Sequence, residues 1–239
     1  MRHLFLSLVT LSILWANPND FEAEFNEKAP TDSFDPLSGY NEVMTSFNDL
    51  FYEYALRPTA QAYAYVVPET GRDCVSNVFD NLLFPVRFVN NLLQLKFENS
   101  MEELGRFAIN STLGFAGLID VAKNDYGLMP HDEDFGQTLG HYGVGSGFHV
   151  VLPFLGPSNV RDVFGLVGDQ WASPLAYIDQ RNINLLENSE ESLALTAGRV
   201  VNTTSLHTEE IDMLRKDAID LYPFLRDIYE SRRTKQISE

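Results

Sequence analysis

A chain of 239 residues that is 44% hydrophobic is long enough to bury a sizeable core, and one domain is expected. Seventeen Lys and Arg against 34 Asp and Glu give a net charge of -17, which repels nucleic acid and anionic surfaces at long range and excludes DNA and RNA as partners. The single cysteine, Cys74, excludes an intramolecular disulfide and zinc sites built on paired thiolates.

Met1-Arg2-His3 followed by the apolar run Leu4 to Trp15 has the charged start and short apolar stretch of a secretory signal peptide, too short to cross a bilayer, with cleavage expected after Ala16. Residues 17–33 are polar and acidic with little to bury, which predicts a flexible leader. The folded body is expected over residues 34–233, with 234–239 as a polar tail.

Within the body, Val43, Met44, Phe47, Leu50, Phe51 and Tyr54 recur at intervals of three and four, the spacing of a helix with a broad apolar face. Arg57-Pro58 ends or kinks that helix, and a second runs from Thr59 to Val67. Gly71 to Leu95 reads as two helical pieces around Pro85, and Met101, Leu104, Phe107 and Ala108 mark another. Gly114 and Gly117 then allow a helix break or close packing. Stripes this wide and aromatic suit a protein core or a lipid-facing surface equally well.

His131-Asp132-Glu133-Asp134 has metal-ligand chemistry, but four consecutive residues do not converge on one ion, so a solvated helix start is the better reading and no metal is expected. Five glycines lie from Gly136 to Gly147, followed by an apolar run that closes at Gly156-Pro157: a flexible tip on a stem that should be buried. The spacing excludes two familiar chemistries. After Gly143 and Gly145 the third glycine of a dinucleotide fingerprint is replaced by Phe148, and the residues two away from Ser146 are Val144 and Phe148, not the glycines of a nucleophile elbow.

Ser158 is expected to cap a helix from Val160 to Trp171 that buries Val163, Phe164, Leu166, Val167 and Trp171 and ends at Pro174. Two further helical patterns follow, Leu206 to Leu221 and a last one after Pro223, where Arg232, Arg233 and Lys235 suit a helix C-terminus. Extended patterning is confined to Phe148 to Leu155, so the fold class is mainly α.

Several segments together resemble one family. Phe34-Asp35-Pro36-Leu37-Ser38-Gly39-Tyr40-Asn41, Phe47-Asn48, Val67-Pro68-Glu69, Ser76-Asn77, Arg106 to Gly114, Asp134 to Gly140, and Leu152 to Ser158 with Arg161-Asp162 are similar, in the same order, to the MlaA (VacJ) family over roughly Ser33 to Arg233. The resemblance implies a Gram-negative protein on the periplasmic side of the outer membrane, a single ring-like helical domain embedded in the inner leaflet. Members act with trimeric porins to take mislocalised phospholipid from the outer leaflet through an amphipathic channel and pass it to the periplasmic carrier MlaC. It implies no enzyme and no cofactor. It places Gly140, His141, Tyr142, Gly143, Gly145, Gly147 and Phe148 at a loop that borders or gates the channel, and Phe47 and Asn48 in the family's first helical motif, where disturbance alters gating. Family members carry a lipobox cysteine after the apolar segment. Ile13-Leu14-Trp15-Ala16-Asn17 contains none, so either anchoring through helices and partners or a soluble variant is expected. Two other classes share parts of the pattern: a periplasmic hydrolase using His141 or His149 with an acidic partner, and an envelope scaffold.

Overall fold

The computed structural model describes residues 35–174 and 189–238. The chain divides into two units, Met1–Pro36 and Leu37–Glu239. The expected signal segment and leader lie outside the described residues, and every helix below belongs to the second unit, which is mainly α as expected.

Helix α1 (Ser38–Phe51) runs through a π-helical turn (Tyr52–Leu56) into α2 (Arg57–Val66). Proline accounts for the wide turn. Pro58 has no N–H to give and its ring crowds the carbonyl four residues back, so the helix widens just ahead of it, and the Arg57 N–H reaches back to the Tyr52 carbonyl. Helices α3 (Glu69–Leu82) and α4 (Phe84–Leu93) break at Leu83, with Pro85 in the first turn of α4, where a missing N–H breaks no bond. Helices α5 (Phe97–Thr112), α6 (Val121–Tyr126) and α7 (Phe135–His141) follow. An antiparallel hairpin of β1 (His149–Leu152) and β2 (Gly156–Asn159) sets His149 opposite Asn159 and Leu152 opposite Gly156. It leads into α8 (Val160–Ala172), α9 (Ser189–Asp217) and α10 (Leu221–Ser238).

Three boundaries differ from expectation. Helix α9 starts before Leu206 and stops short of Leu221, because the Asp220 carboxylate accepts the Tyr222 N–H at 3.2 Å at the start of α10. Helix α10 itself runs on through the expected tail. Asn159, not Ser158, caps α8 by accepting the Asp162 N–H at 2.9 Å, and Ser158 instead pairs across the hairpin with Val150.

The interior is polar. Among the described residues the buried hydrophobic side chains are Tyr52, Ala60, Ala122, Val151 and Tyr222, while Asn41, Asn90, Asn91, Glu103, Asn159 and Asn202 are almost wholly enclosed. On α5 the buried face is Ser100, Glu103, Arg106 and Asn110, and Met101 between them is 62% exposed. Helix α8 overturns its expected orientation: Arg161, Asp162 and Gly165 are buried, Phe164 is 65% and Trp171 62% exposed, and Leu166 and Val167 also face out. The hairpin turn likewise leaves Phe154 and Leu155 exposed rather than buried. Polar groups recur on these helices at the same spacing as the apolar ones, and the face that turns inward is the one whose atoms find partners there. Glu103 accepts from Arg87 Nε at 2.8 Å and from the His131 N–H at 2.7 Å. Asn202 donates to the Arg72 carbonyl at 3.0 Å and accepts from the Tyr63 hydroxyl at 3.0 Å. Arg215 ties α9 to Asp49 at 2.6 Å and Glu53 at 2.8 Å, across the end of α1.

Helices α7 and α8 cross so closely that a Cβ on Gly165 would lie 2.5 Å from the Gly136 nitrogen. Gly136 and Gly140 are therefore part of a packed helix and do not belong to a flexible tip. Neighbouring substitutions on α8 should behave oppositely in thermal unfolding in detergent. Gly165→Val should lose about 1–3 kcal/mol through backbone overlap with α7, whereas Phe164→Ser, on the outward face, should melt within about 0.5 kcal/mol of the parent. Equal loss in both variants would contradict the inverted orientation of this helix.

Candidate functional site

Asn41 and Asn48 lie two helical turns apart on one face of α1, and both clasp the hairpin. Asn41 donates to the His149 carbonyl at 3.0 Å and accepts the Val151 N–H at 2.8 Å. Asn48 donates to the Leu152 carbonyl at 2.9 Å and accepts the Phe154 N–H at 2.7 Å. The two carboxamides serve the exposed edge of β1 as a neighbouring strand would. Phe154 has a φ of 65°, a left-handed conformation uncommon for a side chain of its size. Its ring meets Phe47 and Phe51 edge-on at 5.1 and 4.9 Å, so the aromatic contacts and the Asn48 bond together hold the strained turn.

The structure thus brings Phe47 and Asn48 to the hairpin turn and not to the glycine loop. Of the expected loop residues, Gly140 and His141 close α7, and the irregular stretch is Tyr142 to Phe148. Its ends are tied down. The Tyr142 hydroxyl donates to the Leu93 carbonyl at 2.5 Å, the Arg161 N–H to the Ser146 carbonyl at 3.0 Å and the Val160 N–H to the Phe148 carbonyl at 3.2 Å. Gly143 and Gly147 take φ values of 84° and 73°, and a Cβ on Gly147 would press on Val160, while one on Gly145 would meet nothing within 4 Å. Freedom is greatest at Gly145.

Beneath the hairpin lies a cavity of about 230 Å³. Its lining is mixed: Leu152, Leu155, Pro157 and Leu166 are apolar, and Asp134, Asp162, Asp169, Tyr229 and Arg233 are charged or polar. Arg233 organises the polar wall. Expected as a cation at a helix end, it is instead buried and bridges two carboxylates that sit at helix starts: Asp134 through both terminal nitrogens at 2.6 and 2.8 Å, and Asp162 through Nε at 2.8 Å. Asp162 also accepts from Tyr229 at 2.7 Å and Arg161 at 2.9 Å. Burial works against the ionised form of Asp162, but the bonds from Arg233, Arg161 and Tyr229 outweigh it and hold the carboxyl below the usual range.

Asp169 stands in contrast. Its Oδ1 accepts from Asn90 at 2.8 Å and from the Phe135 N–H at 2.9 Å, and no cation among the described residues pairs with it. Burial, joined by the nearby charge of Asp134, pushes its carboxyl up to about 6 despite those two bonds.

The acidic run before α7 is a helix start, with Asp134 accepting the Gln137 N–H at 2.8 Å, and it is solvated in part, the Asp132 side chain being 79% exposed. Glu133 pairs with Lys96 at 2.7 Å and His131 with Glu102 at 2.6 Å, because the polar interior draws these side chains in. No three His, Cys, Asp or Glu among the described residues are grouped to hold a metal. His141 is exposed against the edge of Tyr142, and His149 is buried with Nδ1 3.0 Å from Glu230. Sequence reasoning missed Asn41, Asp162, Asp169 and Arg233. The one signal that could have found the interior is the polar series Ser100, Glu103, Arg106, Asn110, which repeats at helical spacing opposite the apolar stripe.

Comparison with known proteins places this geometry in a family. The family model described as MlaA lipoprotein matches residues 33–236. The Escherichia coli intermembrane phospholipid transport system lipoprotein MlaA is 40% identical over 147 residues, covering 60% of this chain and 59% of that protein. An uncharacterized Rickettsia typhi protein is 35% identical over 161 residues, and the match spans 67% of this chain and 64% of that protein, a little under two thirds of its length. A solved structure described as the structural basis for maintenance of bacterial outer membrane lipid asymmetry superposes with a TM-score of 0.74 at 32% identity, covering 86% of this chain and all of that one.

The lone carboxylate supports a stability test. A carboxyl whose folded pKa is raised destabilises the fold above that pKa, and the penalty fades as pH falls through about 6 toward the unfolded value. Asp169→Asn keeps an oxygen for Asn90 and Phe135 and removes the charge. It should melt higher than the parent at pH 7.5 by about 1–2 kcal/mol, discounted for partial exposure, with the gap closing by pH 4. A gap that is absent at pH 7.5, or that widens on acidification, would contradict the assignment.

Proposed function

The chain belongs to the MlaA lipoprotein family, and from that membership we propose that it maintains outer-membrane lipid asymmetry, taking mislocalised phospholipid from the outer leaflet through an amphipathic channel to a periplasmic carrier such as MlaC. The observation that carries this reading is the inverted distribution of side chains. Asn, Glu, Asp and Arg fill the interior while Phe164, Trp171, Met101, Leu50 and Phe154 face outward on separate elements. An apolar exterior of that extent lowers its free energy by contact with acyl chains. No helix among the described residues is long and apolar enough to cross a membrane, which suits a body held within one leaflet by its outer faces. A trimeric porin is proposed as its neighbour in the bilayer on the family resemblance alone.

The cavity has the mixed lining that an amphiphile needs: leucines for the start of an acyl chain and charged groups for a headgroup. We assign gating to two elements, the Tyr142–Phe148 loop around Gly145 and the hairpin turn that Asn48, Phe47 and Phe51 hold down. Opening the turn requires breaking both Asn48 bonds and unstacking Phe154, so the clasp sets the closed state.

The test is the phospholipid content of the outer leaflet in a strain lacking this gene, read with a reagent or acyltransferase confined to the cell surface. A rise that complementation reverses is expected. No rise, in a strain where loss of the carrier does produce one, would overturn the reading. Gly145→Val has space for its side chain and should fold normally while failing to complement. Full complementation by the folded variant would remove the loop from the mechanism.

A further inference from the structure

We propose that Asp169 is a headgroup-specificity residue of the lipid route: it receives the ammonium of an ethanolamine-type headgroup, and the cavity it lines disfavours anionic headgroups. The inference rests on the lipid-conduit reading above and deepens it.

The carboxylates of this cavity are not equivalent. Arg233 spends its three donor nitrogens on Asp134 and Asp162, whose carboxylates also accept from the Gln137 N–H and Arg161 Nε on their own helices, so that group is closed on itself. Asp169 is left over. Both of its hydrogen bonds come from neutral donors and both fall on Oδ1, while Oδ2 has no donor among the described residues. It also lines the cavity, where an incoming group can reach it. A carboxylate oxygen without a cation, in surroundings less polar than water, is matched by a charged N–H donor.

The rest of the cavity states what that donor must be attached to. A free metal ion or a small hydrophilic amine would gain nothing from the apolar part of the lining, where Leu155 and Leu166 border the same space and are 67% and 48% exposed. From Leu166 the apolar surface continues along α8 to Val167 and Trp171, so an acyl chain leaving the mouth passes onto a surface suited to it. At about 230 Å³ the cavity is below the size of pockets that enclose whole small molecules, roughly 300 Å³ and above, and matches a headgroup with its chains outside. Charge then decides among lipids. Three carboxylates against the guanidiniums of Arg233 and of Arg161, which pairs with Asp162 from outside the lining, leave one negative charge in excess. A phosphatidylglycerol headgroup brings a further uncompensated negative charge, whereas an ethanolamine headgroup brings an ammonium that Oδ2 can accept.

Lipids adsorbed on the apolar exterior would mask this choice, so the test must report from the cavity. The full chain, carrying a photo-crosslinking amino acid in place of Leu155, is purified in detergent and mixed with equal amounts of phosphatidylethanolamine and phosphatidylglycerol. After illumination the attached lipids are identified by mass spectrometry. Ethanolamine adducts should exceed glycerol adducts at least fivefold, and Asp169→Asn should bring the ratio within twofold of one at similar total yield. Leu166→Lys, which adds a cation at the tolerant mouth, should turn the preference toward phosphatidylglycerol. Equal adducts of both lipids in the parent, or a fivefold bias that survives Asp169→Asn and Leu166→Lys, would overturn the assignment while leaving the conduit in place. Absence of any lipid adduct in the parent would remove the conduit reading and this inference with it.

Discussion

Arg233 holds together the starts of two helices that the chain reaches 99 and 71 residues earlier. Asp134 opens α7 and Asp162 lies in the first turn of α8, and one guanidinium bridges the half-buried first carboxylate and the buried second. Removing the cation would leave Asp162 to Arg161 and Tyr229 and Asp134 to the Gln137 N–H, and would cut the link between the two carboxylates. Fixing these two helix ends also fixes the glycine crossing between α7 and α8, the cavity wall and the root of the hairpin. The bridge gives little net stability compared with a well-packed apolar core, but it gives a definite geometry, and the cavity depends on that geometry.

The same exchange of packing for bonding runs through the molecule. Glu103 with Arg87 and the His131 N–H, Asn202 with Tyr63 and Arg72, and Arg215 with Asp49 and Glu53 each join separate elements through specific bonds. Hydrogen bonds of this kind gain strength as water is withdrawn from around them. In the bilayer placement proposed above, acyl chains would withdraw water from the apolar outer faces, and a polar interior and an apolar exterior would be two parts of one solution. In water alone the exposed Phe, Trp and Leu side chains would drive aggregation.

Helix positions were legible in the sequence because periodicity reports them directly: the pieces around Pro85, the stretch through Met101 and Phe107, and the short extended segment after Phe148 all occur where the pattern put them. The direction each helix faces was not legible. On α8, Phe164, Leu166, Val167 and Trp171 form one stripe and Arg161, Asp162, Gly165 and Asp169 another, and periodicity cannot say which meets protein and which meets solvent or lipid. The cavity was invisible for a different reason, since Asp134, Asp162, Asp169 and Arg233 come from three separate elements and no local spacing joins them. Phe47-Asn48 stood out through family resemblance, yet its chemical role depends on Phe154, 106 residues beyond Asn48. The glycines divided: Gly136 serves packing and Gly145 openness, a difference set by neighbours that the sequence does not display.

The most direct measurement of the central claim, that the outward apolar faces meet acyl chains, is quenching of Trp171 fluorescence by lipids brominated along their chains. Full-length protein with Trp15→Phe, reconstituted with its membrane partner, leaves Trp171 as the only indole. Strong quenching with a blue-shifted emission is predicted. Emission at the wavelength of a water-exposed indole, unaffected by bromine at any depth, would contradict the account.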